Sequence, residues 1–120
     1  YKRYMENLRE HNIKLPVIAG IRPLTNFKQA ESVENFFKLK VDDKLKNGLK
    51  DKTDKEAYKF GINYTVDMIK KLKEYCAPGV HLFVLKSEYQ RFHYHFYSNF
   101  VLFPLPQAPC KYGIPFSLKE

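Results

Sequence analysis

The apolar positions of this chain change period several times, and each change marks an element. Tyr1, Tyr4, Met5 and Leu8 fall at i, i+3, i+4 and i+7, the spacing that lines one face of a helix. The pattern ends near His11-Asn12, where Asn acts as a C-terminal stop. Leu15-Pro16-Val17-Ile18-Ala19 is apolar throughout and predicts a short buried strand suited to a parallel sheet. Pro16 sits near its start, where a missing N–H does least harm. Gly20 to Thr25 reads as a loop from its Gly and Pro.

Asn26 with Gln29 matches a capping box, opening a second helix through Phe27, Ala30, Val33 and Phe37. Asp42 and Asp43 are placed to cap a short third helix carrying Leu45 and Leu49. Thr53 and Glu56 form a further capping box ahead of the longest helical pattern: Ala57, Phe60, Gly61, Tyr64, Met68, Leu72 and Tyr75. Ala77-Pro78-Gly79 stops that helix, and Val80 to Leu85 predicts a second buried strand. A long helical crossover between two strands favours parallel pairing, so the fold class is α/β. Beyond it, Tyr89, Phe92, His93, Phe96, Tyr97 and Phe100 fit a helical stripe, while Phe92, Tyr94 and Phe96 alternate as a strand does. Pro104 and Pro106 break the apolar run that follows, and the pattern leaves both readings open.

Composition narrows the function classes. At 120 residues the chain makes one domain at most, and an apolar share of 44% excludes a disordered chain. A formal charge of +8 invites nucleic-acid binding through phosphate contacts. Against that, the excess is almost all Lys, with only Arg3, Arg9, Arg22 and Arg91 to supply a bidentate fork. The charges also alternate in sign, as in Lys50-Asp51-Lys52-Thr53-Asp54-Lys55-Glu56, so a small basic nucleic-acid binder ranks a distant third among the functional readings. Cys76 and Cys110 form neither a CxxC pair nor a disulfide framework. With no signal peptide and no apolar run long enough to cross a bilayer, a cytoplasmic location is expected. The chain starts at Tyr1 inside an amphipathic pattern, without Met, as a piece of something longer would.

Candidate chemistry is sparse. His93-Tyr94-His95 would point two imidazoles the same way on a strand, but no carboxylate or Cys nearby completes a ligand set, so no metal site is expected. His81 begins a buried strand, where a satisfied core histidine is the expected reading. There is no Gly-rich phosphate loop, no nucleophile elbow and no close carboxylate pair on a buried face. Asp42-Asp43 is better explained as a helix cap than as an acid–base dyad, and the chain holds no catalytic candidate. What remains is positional: parallel α/β folds bind ligands at the C-terminal ends of their strands. Two segments qualify, Gly20 to Val33 and Phe83 to Ser87. Gln29 offers a carboxamide donor and acceptor to a heterocycle there, and its capping role competes on equal terms.

At these two segments the chain resembles a known family. Pro16-Val17-Ile18-Ala19-Gly20-Ile21-Arg22-Pro23-Leu24-Thr25-Asn26-Phe27-Lys28-Gln29-Ala30 is similar to the strand-seven stretch of methylenetetrahydrofolate reductases, a P-I-I-x-G-I-x-P run leading into N-x-K-Q. Gly61-Ile62-Asn63-Tyr64-Thr65-Val66-Asp67 resembles the family's helix landmark G-I-x-x-A/T-x-D/E. Gly79-Val80-His81-Leu82-Phe83-Val84-Leu85-Lys86 resembles its final barrel strand, G-[VIL]-H-[LF]-Y-T-[LM]-N. The landmarks occur in order over residues 1–87, and the aromatic, Pro-rich residues 88–120 do not resemble the closing helix expected there.

The resemblance implies part of a (β/α)8 barrel, its C-terminal strands and helices only, from a flavin-dependent oxidoreductase. That family binds FAD, takes hydride from NADH or NADPH, and reduces methylenetetrahydrofolate to methyltetrahydrofolate, a step of one-carbon metabolism and methionine biosynthesis. Its FAD-holding and catalytic acidic residues lie in earlier strands, which this chain does not contain. By position, Gln29 matches a folate-contacting glutamine. Val33 stands where many bacterial members have an aromatic that packs on the folate or nicotinamide ring. Phe83 replaces a substrate-contacting Tyr and loses its hydroxyl. Ser87 replaces an Arg that approaches the folate tail. Implied partners are folate and NAD(P)H in the full-length protein, and the rest of the barrel or a second copy. The alternative is a degenerate remnant or interaction module without catalysis.

Overall fold

A computed structural model describes residues 1–83. Its order is α1 (Lys2–Glu10), β1 (Ala19–Ile21), α2 (Phe27–Phe37), α3 (Asp43–Leu49), α4 (Asp54–Glu74) and β2 (Val80–Leu82). The class is α/β, as the pattern of elements predicts. The chain divides into two compact units: Tyr1–Ile21 with the residues from Ile69 onward, and Arg22–Met68.

In the first unit, β1 and β2 pair in parallel, Ala19 opposite Val80, Gly20 opposite His81 and Ile21 opposite Leu82. The ladder continues one bond further, Phe83 N–H donating to the Ile21 carbonyl at 2.8 Å. The predicted pairing is therefore present, but β1 is displaced from the expected Leu15–Ala19. Val80 is preceded by Ala77-Pro78-Gly79, outside any strand, so residues before Ala19 have no partner backbone in β2 to bond. Leu15 and Ile18 are exposed accordingly, and Gly20-Ile21, expected as loop, is strand.

Two helix ends in this unit are closed in the same way. Asn12 takes a left-handed φ of 56°, its N–H donates to the Arg9 carbonyl, and that of Ile13 to Leu8. Cys76 does likewise after α4, with φ 61° and bonds from Cys76 to Lys73 and Ala77 to Leu72. These are Schellman closures, which satisfy carbonyls a helix end would otherwise leave unbonded. Tyr1 ties α1 to the segment before β1 by donating its hydroxyl hydrogen to the Val17 carbonyl at 3.1 Å.

The second unit is built around three capped helix starts. Asn26 Oδ1 accepts from Gln29 N–H at 2.8 Å, and Asp42 Oδ1 from Lys44 N–H at 2.7 Å. Asp42 alone caps α3, while Asp43 lies in its first turn and pairs with Lys40 at the surface. Thr53 and Glu56 form the expected reciprocal box, with Thr53 N–H donating to Glu56 Oε2 at 3.1 Å and Glu56 N–H to Thr53 Oγ1 at 3.4 Å. Leu24, Ala30, Val41, Leu45, Leu49 and Ala57 form the core, with Phe27, Val33, Phe60 and Tyr64 packed against it. Gly48 leaves room for the Phe60 ring, which any Cβ there would overlap. Along the second unit's part of α4, Ala57, Gly61, Ile62 and Thr65 are buried. Met68, expected on that stripe, is 36% exposed; the buried positions run through Ile62 and Thr65, and Tyr64 is half-buried against the core.

Candidate functional site

Gln29 and Val33 belong to the second unit, Phe83 to the first, and Ser87 lies outside the described residues. Gln29 and Val33 are one turn apart on α2, hence on one face of it. Val33 is half-buried and packs against the core. Gln29 is fixed by its surroundings. Its Oε1 accepts from Thr25 N–H at 2.8 Å and from Thr25 Oγ1 at 3.2 Å, while its own N–H donates to Asn26. The expected return bond thus falls on Thr25 rather than on the Asn26 backbone. Asn26 is extended at the cap, φ −151° and ψ 162°, and the bond the Gln29 side chain makes is to the residue before it. Any ligand bonding to Gln29 Oε1 competes with two donors already present.

The turn carrying these residues is held from below by α4. Leu24 and Thr25 are buried, and Gly61 sits so close beneath them that a Cβ would overlap the Leu24 carbonyl oxygen and stand 3.0 Å from its carbon. Thr65, one turn along, returns its hydroxyl to the Gly61 carbonyl at 2.8 Å. A second clamp links α2 to α3: Glu34 accepts from the Lys46 ammonium and from Val41 N–H. The Lys46 hydrogen bond, followed by that from Val41, holds the Glu34 carboxyl below its ordinary range. Asp42 is lowered likewise, chiefly by Lys44 N–H. Burial, reinforced by the Asp42 charge, raises the Tyr64 phenol.

In the first unit the two faces of the strand pair differ. Ile21 and Val80 are buried on one. Gly20, His81 and Phe83 lie on the other, all exposed. His81 is therefore not the core histidine expected from its strand: the alternation of the strand points it away from Val80 and Leu82. Its ring meets Phe83 edge to face, centroids 4.4 Å apart and planes at 87°. The Phe83 ring crosses to Gly20, where a Cβ would stand 2.5 Å from Phe83 Cε2. Gly20 and His81 are the residues of this face that periodicity did not single out. The Gly20–His81 register, available only from the pairing, is the signal that joins them.

Among the described residues no group of His, Cys, Asp and Glu is placed to hold a metal ion, and no helix is long and apolar enough to cross a membrane.

Residues 1–93 match the family model for methylenetetrahydrofolate reductase. The chain belongs to this family. It is similar to methylenetetrahydrofolate reductase (NADH) 1 of Arabidopsis thaliana, 29% identical over 90 residues. It is also similar to a probable methylenetetrahydrofolate reductase (NADH) of Oryza sativa subsp. japonica, at 28% over 90 residues. Each alignment covers 73% of this chain and 15% of the relative, so the chain spans a small part of the length of the reductases it matches. Within the family match, the Gly61-Ile62 landmark is where α4 closes on the turn of Leu24, and the Gly79–Lys86 landmark contains β2.

Proposed function

We propose that this chain is the C-terminal barrel segment of a flavin-dependent methylenetetrahydrofolate reductase and works within a larger polypeptide or with a complementing piece. A complete (β/α)8 barrel needs about 250 residues, and this chain corresponds to 15% of its relatives. Residues 1–83 supply two neighbouring strands and their helices; the sequence of residues 88–120 is aromatic, Pro-rich and divergent. The observation that carries the reading is the parallel pairing of β1 with β2, inside a family match that runs unbroken across both. Parallel strands present their C-terminal ends together, and barrels place ligands at those ends.

In the assembled enzyme, bound FAD would supply the hydride-transfer chemistry between NAD(P)H and methylenetetrahydrofolate. The residues that hold FAD belong to segments outside this chain. By their places in the family's motifs, the residues this chain would contribute toward folate are Gln29 to orient the heterocycle, Val33 and Phe83 for apolar cover, and Ser87 toward the folate tail. The test is expression of the reading frame extended upstream of Tyr1. A flavin-containing product that oxidises NADH or NADPH only when methylenetetrahydrofolate is present supports the proposal; a colourless, inactive product sinks it.

A second reading, a remnant or interaction module without catalysis, is favoured by one observation. The Gln29 carboxamide oxygen is already bonded to Thr25, and the two substitutions Phe83 and Ser87 each remove a polar substrate contact that the family uses. A stop codon directly upstream of Tyr1 would select it.

A further inference from the structure

Three residues on the exposed face of the strand pair make contacts that neither the core nor the ladder requires. Phe83 is 55% exposed although it is a large apolar side chain, and its ring is nevertheless placed on two sides. Below it lies Gly20 of the neighbouring strand, whose missing Cβ gives the ring its seat: a methyl there would stand 2.5 Å from Cε2 and 3.3 Å from Cζ. Beside it stands His81, two residues earlier on the same strand and so on the same face, at right angles and 4.4 Å away. Perpendicular aromatic pairs at such separations are attractive because the positive edge of one ring meets the negative face of the other. An exposed phenylalanine held this way has lost the rotamer freedom that would otherwise oppose ring-on-ring binding.

We propose that Gly20 and His81 are positioning residues, which set the Phe83 ring as a fixed platform for a planar heterocycle at the C-terminal end of the strand pair. This rests on the reductase reading. The heterocycle is the pterin of the folate or the nicotinamide of the pyridine nucleotide, and both present a partly conjugated ring face that can pack on an aromatic side chain. His81 acts through Phe83 and touches no ligand itself. The glycine is required by close approach, since any side chain at position 20 displaces the ring.

The experiment uses the full 120-residue chain and two probes, 5-methyltetrahydrofolate and NADH, titrated separately and followed by proton NMR. The unliganded chain gives a first readout. The Phe83 ring current shifts the Gly20 α-protons from their ordinary position, and His81→Ala collapses that shift while His81→Phe, which keeps an aromatic edge beside the ring, preserves it. For whichever probe binds, His81→Ala and Gly20→Ala each weaken binding about three- to tenfold, the range expected from one aromatic pair, and His81→Phe stays within about twofold. The amide resonances of Ile21 and Val80, on the opposite face, report whether each variant keeps the sheet. Gly20 α-protons without a ring-current shift, or His81→Ala binding as the unsubstituted chain does, overturn the positioning role. Equal losses in His81→Ala and His81→Phe overturn it too, because the imidazole would then contact the ligand directly. Binding of neither probe, with the Gly20 shift intact, overturns the platform role and leaves only the ring placement standing, while the reductase reading stands or falls on the upstream-extended product.

Discussion

Gly61 is buried on α4, and its α-carbon faces the backbone of Leu24 and Thr25 rather than a side chain. Alanine in a helix is ordinarily the better residue by about 1 kcal/mol. Here the added methyl meets a carbonyl oxygen that has no rotamer to yield, and overpacking of that kind costs about 1–3 kcal/mol. The second effect wins, so Gly61→Ala is expected to lower stability by up to about 2 kcal/mol, read as a lower urea midpoint at unchanged slope. Asn26 is the converse case, a residue whose value lies in one bond. Its Oδ1 accepts from Gln29 N–H, and Asn26→Ala should cost about 0.5–2 kcal/mol as N-cap losses do, again measured by urea unfolding. Both residues were legible from spacing. The partner of the Gln29 side chain was not, because a capping box specifies reciprocal bonding but not which of two adjacent backbone N–H groups the longer side chain reaches.

Each helix of the second unit starts at a side-chain cap, and two of the three use carboxylates that titrate. Glu56 is held below its ordinary range chiefly by the Thr53 hydroxyl, then by Thr53 N–H, and Asp42 chiefly by Lys44 N–H. A carboxylate with a depressed folded-state pKa stabilises above its unfolded pKa and loses that contribution as pH falls through the folded value. Stability should therefore hold down to about pH 4, the ordinary carboxylate range, and decline below it. Glu56→Gln keeps an acceptor for Thr53 but has no proton to gain. Its helical circular dichroism in a fixed concentration of urea should fall less steeply between pH 4 and 2 than that of the unsubstituted chain. A parallel pair of acid titrations with equal slopes would refute the assignment. Strands were harder to place than helices for a related reason. A helix satisfies its own backbone, so its caps and period mark it locally. A strand exists only where a neighbour pairs with it, and among the described residues the apolar run Leu15–Ala19 has no pairing strand before Ala19.

At the scale of the molecule, several of the exposed apolar side chains belong to the unit that holds the strand pair. Leu15 is 69% and Phe83 55% exposed, beside a sheet of only two strands among the described residues. Two strands do not make the phosphate-holding loops of a flavin site, and no such loop occurs in the sequence. The purified 120-residue chain is expected to be colourless after incubation with FAD and gel filtration. A co-eluting flavin absorbance would show that the cofactor site lies at least partly within it.

The order of elements, the capping residues and the family landmarks were determined by the sequence alone, since each depends on residues a few positions apart. The same holds for the parallel sense of the two strands, which the long helical crossover implies. Tertiary structure decided the rest. Register moved β1 onto Gly20-Ile21, turned His81 outward and brought its ring against Phe83 over Gly20. It also selected Ile62 and Thr65 over Met68 for the buried side of α4, and Thr25 as the partner of Gln29. These contacts join residues far apart in the chain, or choose between near neighbours, and only packing settles which surface each side chain meets.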